Sequence, residues 1–459
     1  MKRFKIVSML CLTMALGLTG CGSSNNEGGN ASGTPSSSGK STDKSAETAV
    51  QEKVVLKIPH YKSGQNVGAK FFLPQVERFN IKYADKYEIQ IEEVPNDDYN
   101  DKIKLLWQQK ELPALIEKGA NELVETLIEK DEIYDLKPFL DSKPELKASL
   151  IEDSVAFNTR NGKIYTMPTS VVRPIGLFYN KEMFADAGIT KPIAQMNFEE
   201  FDQALQALKD KGITPLSLMT GENAWTTMLL ASAFMANEPG AEEVLKSNRA
   251  DKEFDYTSQM WVKAFGEVQK WLKEYTTDNA LGAAYADSAN NFLNEKTAII
   301  ANGTWMVGDF SDATKAPEGF DKKVGVSLYP GGIGLATTAE YSWWIPKGLK
   351  QEETEAALAF IEFIRSPEEI EAYMVAEGGQ APNIQTSAEF TSKLNPILAE
   401  MNRSVTSDLK MIAQSMADVW PDQISSKEFS GYLPLLAQDK MTPEQFAEHL
   451  TKKAQQFKK

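Results

Sequence analysis

The sequence predicts an α/β fold in two domains. Three observations carry this: strand-like and helix-like stretches alternate along the chain, about 400 residues follow a polar linker, and 42% of the residues are hydrophobic. That length and composition supply apolar material for two cores. No repeat with a period of 20 to 50 residues argues for a solenoid.

The first segment is an export signal. Lys2, Arg3 and Lys5 precede a mostly apolar run of thirteen residues, Ile6 to Leu18. A membrane span needs about 20 apolar residues to cross about 30 Å of hydrocarbon, so the run is too short to remain as a transmembrane helix. Leu18-Thr19-Gly20-Cys21 resembles the bacterial lipobox, in which the cysteine is lipidated and becomes the new N-terminus. Cys21 is therefore expected to anchor the protein to the outer face of the cell membrane, in a bacterium of Gram-positive type. A diacylglyceryl group provides the multiple chains that stable anchoring needs. Residues 1–20 are the signal peptide and 21–53 the lipidated end and a linker rich in Gly, Ser and Asn. Within that linker GTPSSSGKS (Gly33 to Ser41) only imitates a phosphate loop, with five residues between its glycines where four are needed.

The globular part is expected to begin with a strand at Val54 to Pro59, followed by a period-two strand from Glu88 to Val94. Ile175 to Tyr179, Thr297 to Ala301 and Val324 to Leu328 are further strand candidates. Asn197 to Gly212 is a helix with Phe201, Leu205 and Leu208 on one face, Asn197 as cap, Glu200 three residues on, and Gly212 at its end. Ser366-Pro367 and Thr442-Pro443 open two more helices, each with a capping hydroxyl followed by a proline in the first helical position. Trp261 and Trp271, on an apparent helix, are expected in the core.

Composition excludes several functions. The only other cysteine, Cys11, lies in the signal segment, so the mature chain has no internal disulfide. The formal charge is −15, and losing the signal segment removes three cations and no acids. Such a surface repels nucleic acid and anionic lipid headgroups. With His60 and His449 the only histidines, clustered metal sites and Ser-His dyads have little material, and no G-x-S-x-G or H-E-x-x-H motif occurs. The expected cofactor and metal are none, the expected catalytic residues none, and the expected state a monomer. Two-carboxylate glycoside hydrolysis stays open, since the chain carries 64 acidic residues.

Eight tryptophans in an exported chain point to carbohydrate, because flat rings stack on the apolar faces of sugars. Trp305 follows a β-rich run in ANGTWMVGDF, Trp225 sits in GENAW with Asn223, and Trp343 and Trp344 stand side by side in AEYSWWIPKG with Tyr341. Adjacent strand residues face opposite ways, so one of the last two tryptophans is expected at a ligand.

The lipobox, GKIYTMPTSVVRPIGLFYNKEMFADAGI (Gly162 to Ile189), EKTAIIANGTW (Glu295 to Trp305), Trp343 to Lys347, and EEIEAYMVAEGGQAPN (Glu368 to Asn383) follow one another in an order that resembles the extracellular solute-binding proteins of bacterial ABC importers. The likeness is to their large carbohydrate-binding branch, of family 1 type. It implies two discontinuous α/β lobes that close on a ligand in an interlobe cleft. As expected segments these are 54–168 and 295–345 for the first lobe, and 169–294 and 346–459 for the second. It implies that the protein delivers a sugar or oligosaccharide to permease subunits without chemistry of its own. It also implies that Trp305 stacks on sugar, that Arg173 donates paired hydrogen bonds, and that Tyr61 and Glu117 supply polar contacts. Pro113-Ala114 departs from the Pro-Asp common in the family at that place. A lipid-anchored glycoside hydrolase, or a glycan-binding lipoprotein without a transport role, is the alternative.

Overall fold

The computed structural model describes residues 52–457, apart from 65, 67, 251–252 and 337–339. The signal segment, Cys21 and the phosphate-loop imitation lie outside the described residues.

The chain opens with β1 (Val54–His60), which pairs in parallel with β2 (Tyr87–Glu93), Val54 opposite Tyr87 and His60 opposite Glu93. The helix Ala69–Lys82 connects them and buries Phe72, Val76 and Phe79. Its spacing of apolar residues presents one stripe to the sheet. Next come β3 (Ile116–Glu117), β4 (Thr159–Arg160) and β5 (Lys163–Ile164), the last two forming a small antiparallel pair.

A second, larger sheet contains β6 (Ile175–Asn180), β7 (Thr214–Leu216), β8 (Thr297–Gly303), β9 (Val324–Ser327), β10 (Ile333–Leu335) and β12 (Met411–Ala413). Strand β6 lies at its middle, antiparallel to β8, β9 and β10. Apolar groups cover both of its faces. Leu177 and Ile299 join a core with Leu216, Trp261, Trp271 and Trp420, while their neighbours Phe178 and Ile300 join another with Phe292 and Phe310. Successive side chains of a strand point to opposite faces, so a run of apolar residues is what a sheet covered on both sides requires.

The remaining strand, β11 (Trp343–Trp344), is antiparallel to β3, with Trp343 opposite Glu117. It returns the chain to the first unit. Trp343 and Ile345 pack with Leu56, Ile58, Phe72 and Phe360, the last on the helix Gln351–Ile364. Two lobes result, each with its own cores. The first is built from 54–170 and 341–377, the second from 175–335 and 394–457, and Val171, Ile370 and Met374 pack together where they meet.

This partition corrects the expected second segments. The stretch 295–335 belongs with the second lobe, because β8 hydrogen-bonds to β6 from Ile175–Gly303 through Tyr179–Ile299 and all seven of its residues are buried there. The stretch 346–377 belongs with the first, where Phe360, Ile361 and Ile364 fill the core over β1.

The local readings hold closely. Helix Phe198–Asp210 has Asn197 and Glu200 in a reciprocal cap, at 2.8 and 2.9 Å. Thr442 and Gln445 cap Pro443–Ala454 in the same way, and Ser366 accepts the Glu369 N–H. Trp261 and Trp271 are core residues. Among the described residues no helix is long and apolar enough to cross a membrane.

Candidate functional site

The site grows from the crossover between lobes. Val172 and Gln380 form a two-way backbone bridge, with N···O distances of 2.9 and 2.8 Å. The turn before Gln380 is Gly378-Gly379, with φ of 77° and 107°. A β-carbon on Gly379 would stand 2.7 Å from Val171 Cγ1 and 2.9 Å from Arg173 Cγ. Only glycine fits this conformation and approach.

Arg173 is thereby held at the mouth of β6. Its guanidinium lies over the Trp305 ring at 5.1 Å and near the Tyr373 ring at 5.5 Å. Trp305 is on the tight helical turn Thr304–Asp309 that follows β8, and its ring stands 6.3 Å from that of Trp225. Trp225 begins the helix Trp225–Ala236, and the side-chain oxygen of Asn223 accepts its backbone N–H at 3.1 Å. Both tryptophans are half-buried. The structure thus brings together Trp225, Asn223, Trp305 and Arg173, which are far apart in the chain.

The first lobe contributes charge. Tyr61 follows β1, and Glu117 ends β3. Glu117 Oε1 accepts from Lys62 Nζ at 2.9 Å, and its Oε2 lies 3.0 Å from His60 Nε2 without the alignment of a strong hydrogen bond. Burial opposes the charge of Glu117, but Lys62, His60 and Lys118 together hold its carboxyl well below the usual range. Lys118 Nζ donates to Glu340 at 2.8 Å. Burial likewise opposes charge on Glu340, and Lys118 and Arg173 keep it ionised. The Tyr373 ring that lies 5.5 Å from the Arg173 guanidinium is on the helix Pro367–Glu377 of the first lobe, so the two lobes meet at this arginine.

Three expected ligand residues are elsewhere. Trp343 is buried beside His60 and Phe72, with ring centres at 5.3 and 5.9 Å. Trp344 is fully buried in the core on the opposite face, its Nε1 donating to the Lys118 carbonyl at 2.7 Å. Tyr341 packs into that same core beside Phe157. The expected alternation of the tryptophan pair holds, but both faces of this short strand are covered, so neither ring is open. Glu117 is engaged by its own lobe rather than free for a ligand.

Sequence reasoning missed Tyr373, Lys118, Glu340 and Arg365. Tyr373 lies in the stretch ending in Gly-Gly-Gln-Ala-Pro-Asn, one helical turn before the end of the helix Pro367–Glu377, and its place just ahead of that Gly-Gly turn was its available signal. Arg365 ends the helix Gln351–Ile364, and nothing in its local sequence separates it from a surface cation.

A family model described as bacterial extracellular solute-binding protein matches residues 75–398. The multiple sugar-binding protein of Streptococcus mutans serotype c is 23% identical over 253 residues, covering 52% of this chain and 56% of that protein. The sn-glycerol-3-phosphate-binding periplasmic protein of Rhizobium meliloti is 23% identical over 281 residues, covering 58% and 62%. The chain therefore spans less than two thirds of the length of these curated relatives. A solved chitin oligosaccharide binding protein shares the fold with a TM-score of 0.75 and 21% identity, over 88% of this chain and 99% of that one.

Proposed function

The chain belongs to the family of bacterial extracellular solute-binding proteins, and on that premise we propose that it captures a sugar or oligosaccharide between its lobes and delivers it to the permease of an ABC importer. The observation that carries the ligand class is the pair Trp225 and Trp305 beside Arg173 at the lobe boundary. Half-buried rings offer apolar faces to the C–H side of a pyranose, and a guanidinium without an acceptor among the described residues offers donors to its oxygens. Tyr61 and Tyr373 complete the wall. The protein acts by binding and release, as a monomer held to the outer face of the membrane through lipidated Cys21 after residues 1–20 are removed. The relatives' printed names, one for multiple sugars and one for a phosphorylated polyol, support a polar, hydroxyl-rich solute.

A thermal-shift screen against neutral sugars, oligosaccharides, acidic sugars and short peptides tests this reading, since a ligand of the folded state raises the melting temperature with concentration. Recovery of an unaltered saccharide from the complex is the expected result. Cleaved sugar would replace the binding role by glycoside hydrolysis, and stabilisation by peptides alone would end the carbohydrate reading.

A further inference from the structure

The crevice holds more positive charge than it neutralises. Four cations reach it, and two of them are matched, Lys62 by Glu117 and Lys118 by Glu340. Arg173 and Arg365 are the other two. Neither has a carboxylate within 4.0 Å among the described residues, in a chain whose formal charge is −15. Arg173 makes no hydrogen bond among the described residues, its guanidinium meeting only the rings of Trp305 and Tyr373. Among the described residues Arg365 donates one weak bond, to Ser342 Oγ at 3.3 Å, and its buried Nε has no acceptor. The nearby acid still unmatched is Glu377, 8% exposed, and burial there moves its carboxyl toward the neutral form. Glu377 feels Arg173 and Lys62, and Arg365 feels Glu117, Glu340 and Arg173, so four cations share three acids, one of them pushed toward its neutral form.

A guanidinium presents its N–H groups as a rigid fork that suits the two oxygens of a carboxylate or a phosphate. When the lobes shut on a neutral sugar, that charge loses water and gains no counter-charge, which is unfavourable. An anion restores the balance. We propose that the solute is an acidic sugar, whose carboxylate or phosphate docks on Arg173 with Arg365 adding the second positive charge, while its ring lies against Trp305. This rests on the reading of the crevice as a sugar site.

Calorimetric titration of the full purified chain tests it, with glucuronate, galacturonate and glucose 6-phosphate as probes, glucose and galactose as their neutral parents, each also as a disaccharide, and citrate and inorganic phosphate as anions without a sugar. The expected result is at least tenfold tighter binding of one acidic sugar than of its parent, weakening as salt is raised. The preference should vanish in Arg173→Gln and survive in part in Arg173→Lys, both checked for folding by their melting curves. Arg365→Gln should narrow it, while Arg173, whose guanidinium lies over the Trp305 ring, is the decisive position. Uronate against phosphate identifies which anion is held. Equal or tighter binding of neutral sugars would overturn the proposal and leave the sugar reading standing. Citrate or phosphate binding as tightly as any acidic sugar would keep the anion site and remove the sugar. Binding of none of the probes would end both.

Discussion

Trp305 folds its six-membered ring back over Gly303, so closely that a β-carbon on the glycine would stand 2.1 Å from the ring. The last residue of β8 thus seats one edge of the indole that stands beside the Arg173 guanidinium. Sequence explains the arrangement: a glycine two positions before the tryptophan leaves the gap that the indole occupies.

Removing the ring and displacing it should have similar effects on binding. Trp305→Ala is expected to weaken saccharide affinity by about 1 kcal/mol or more, roughly fivefold or above, through lost stacking. Gly303→Ala should do the same with every tryptophan still present, because the new methyl must push the indole aside, and it should lower stability by about 1–3 kcal/mol from overpacking. Calorimetry alongside thermal unfolding checks both. Unchanged affinity in a folded Trp305→Ala would remove this residue from the site.

The Gly-Gly turn makes a second prediction. At φ 107°, with Val171, Val172 and Arg173 all within 2.9 Å of where a side chain would start, Gly379→Ala should cost about 2–4 kcal/mol, combining left-handed strain with a steric clash. It should also loosen ligand binding, since Arg173 is one of the groups that must move. Denaturant unfolding of the variant gives the number, and a loss below about 0.5 kcal/mol would show that the turn relaxes freely.

What the sequence revealed followed the range of the physics involved. Caps such as Asn197 with Glu200 are settled within one turn of chain, and they were legible to the residue. The same holds for the apolar run of β8, where period and composition suffice. Which lobe owns β8 is decided by pairing with β6, over a hundred residues away in sequence, and no local pattern encodes that choice. Trp343 and Trp344 show the same limit. Their alternation could be read, but the helices and strands that cover both faces of β11 could not. Arg365 was invisible because the role proposed for it depends on what it fails to pair with among the described residues.

Buried His60 makes stability depend on pH. Its Nδ1 accepts the Lys62 backbone N–H at 3.0 Å, which places the proton of the neutral ring on Nε2, facing Glu117. Adding a second proton must break the Lys62 contact inside a stack with Phe72 at 4.1 Å. Burial first, and Lys62 with it, push this histidine below 6.5, outweighing Glu117. The unfolded chain then binds a proton near pH 6.5 that the folded chain resists. Stability from His60 is complete above pH 6.5 and is lost as pH falls below it toward the folded value, at up to about 1.4 kcal/mol per pH unit. Glu117, depressed in the fold, adds a loss at lower pH, beginning below its ordinary value of 4.5. Unfolding free energies from pH 8 to 5 should therefore fall below 6.5, and His60→Asn should flatten that segment. An equal slope in the variant would assign the effect to other groups.

The backbone N–H of Asp422, in the second lobe, donates to Glu122 Oε1 of the first at 2.5 Å, and Asn100 Nδ2 stands 3.5 Å from both carboxylate oxygens of Asp422. Lys70 and Asp312 make another interlobe pair, but Lys70 is two-thirds exposed and such pairs contribute about 0–1 kcal/mol. The Glu122 contact is the stronger latch, because it is partly buried; burial and the Asp422 charge push the Glu122 carboxyl up toward its neutral form, so the bond contributes about 1–2 kcal/mol. Glu122→Ala should therefore shift the lobes toward an open arrangement and weaken ligand binding about five- to thirtyfold without touching the ligand, since apparent affinity scales with the closed fraction. Glu122→Gln keeps an acceptor oxygen and should retain most of the affinity. Small-angle scattering provides the independent readout: the ligand-free alanine variant should have a larger radius of gyration than the parent, converging on it at saturating ligand. Equal radii together with equal affinities would mean that the Asp422 contact follows closure and does not help to set it.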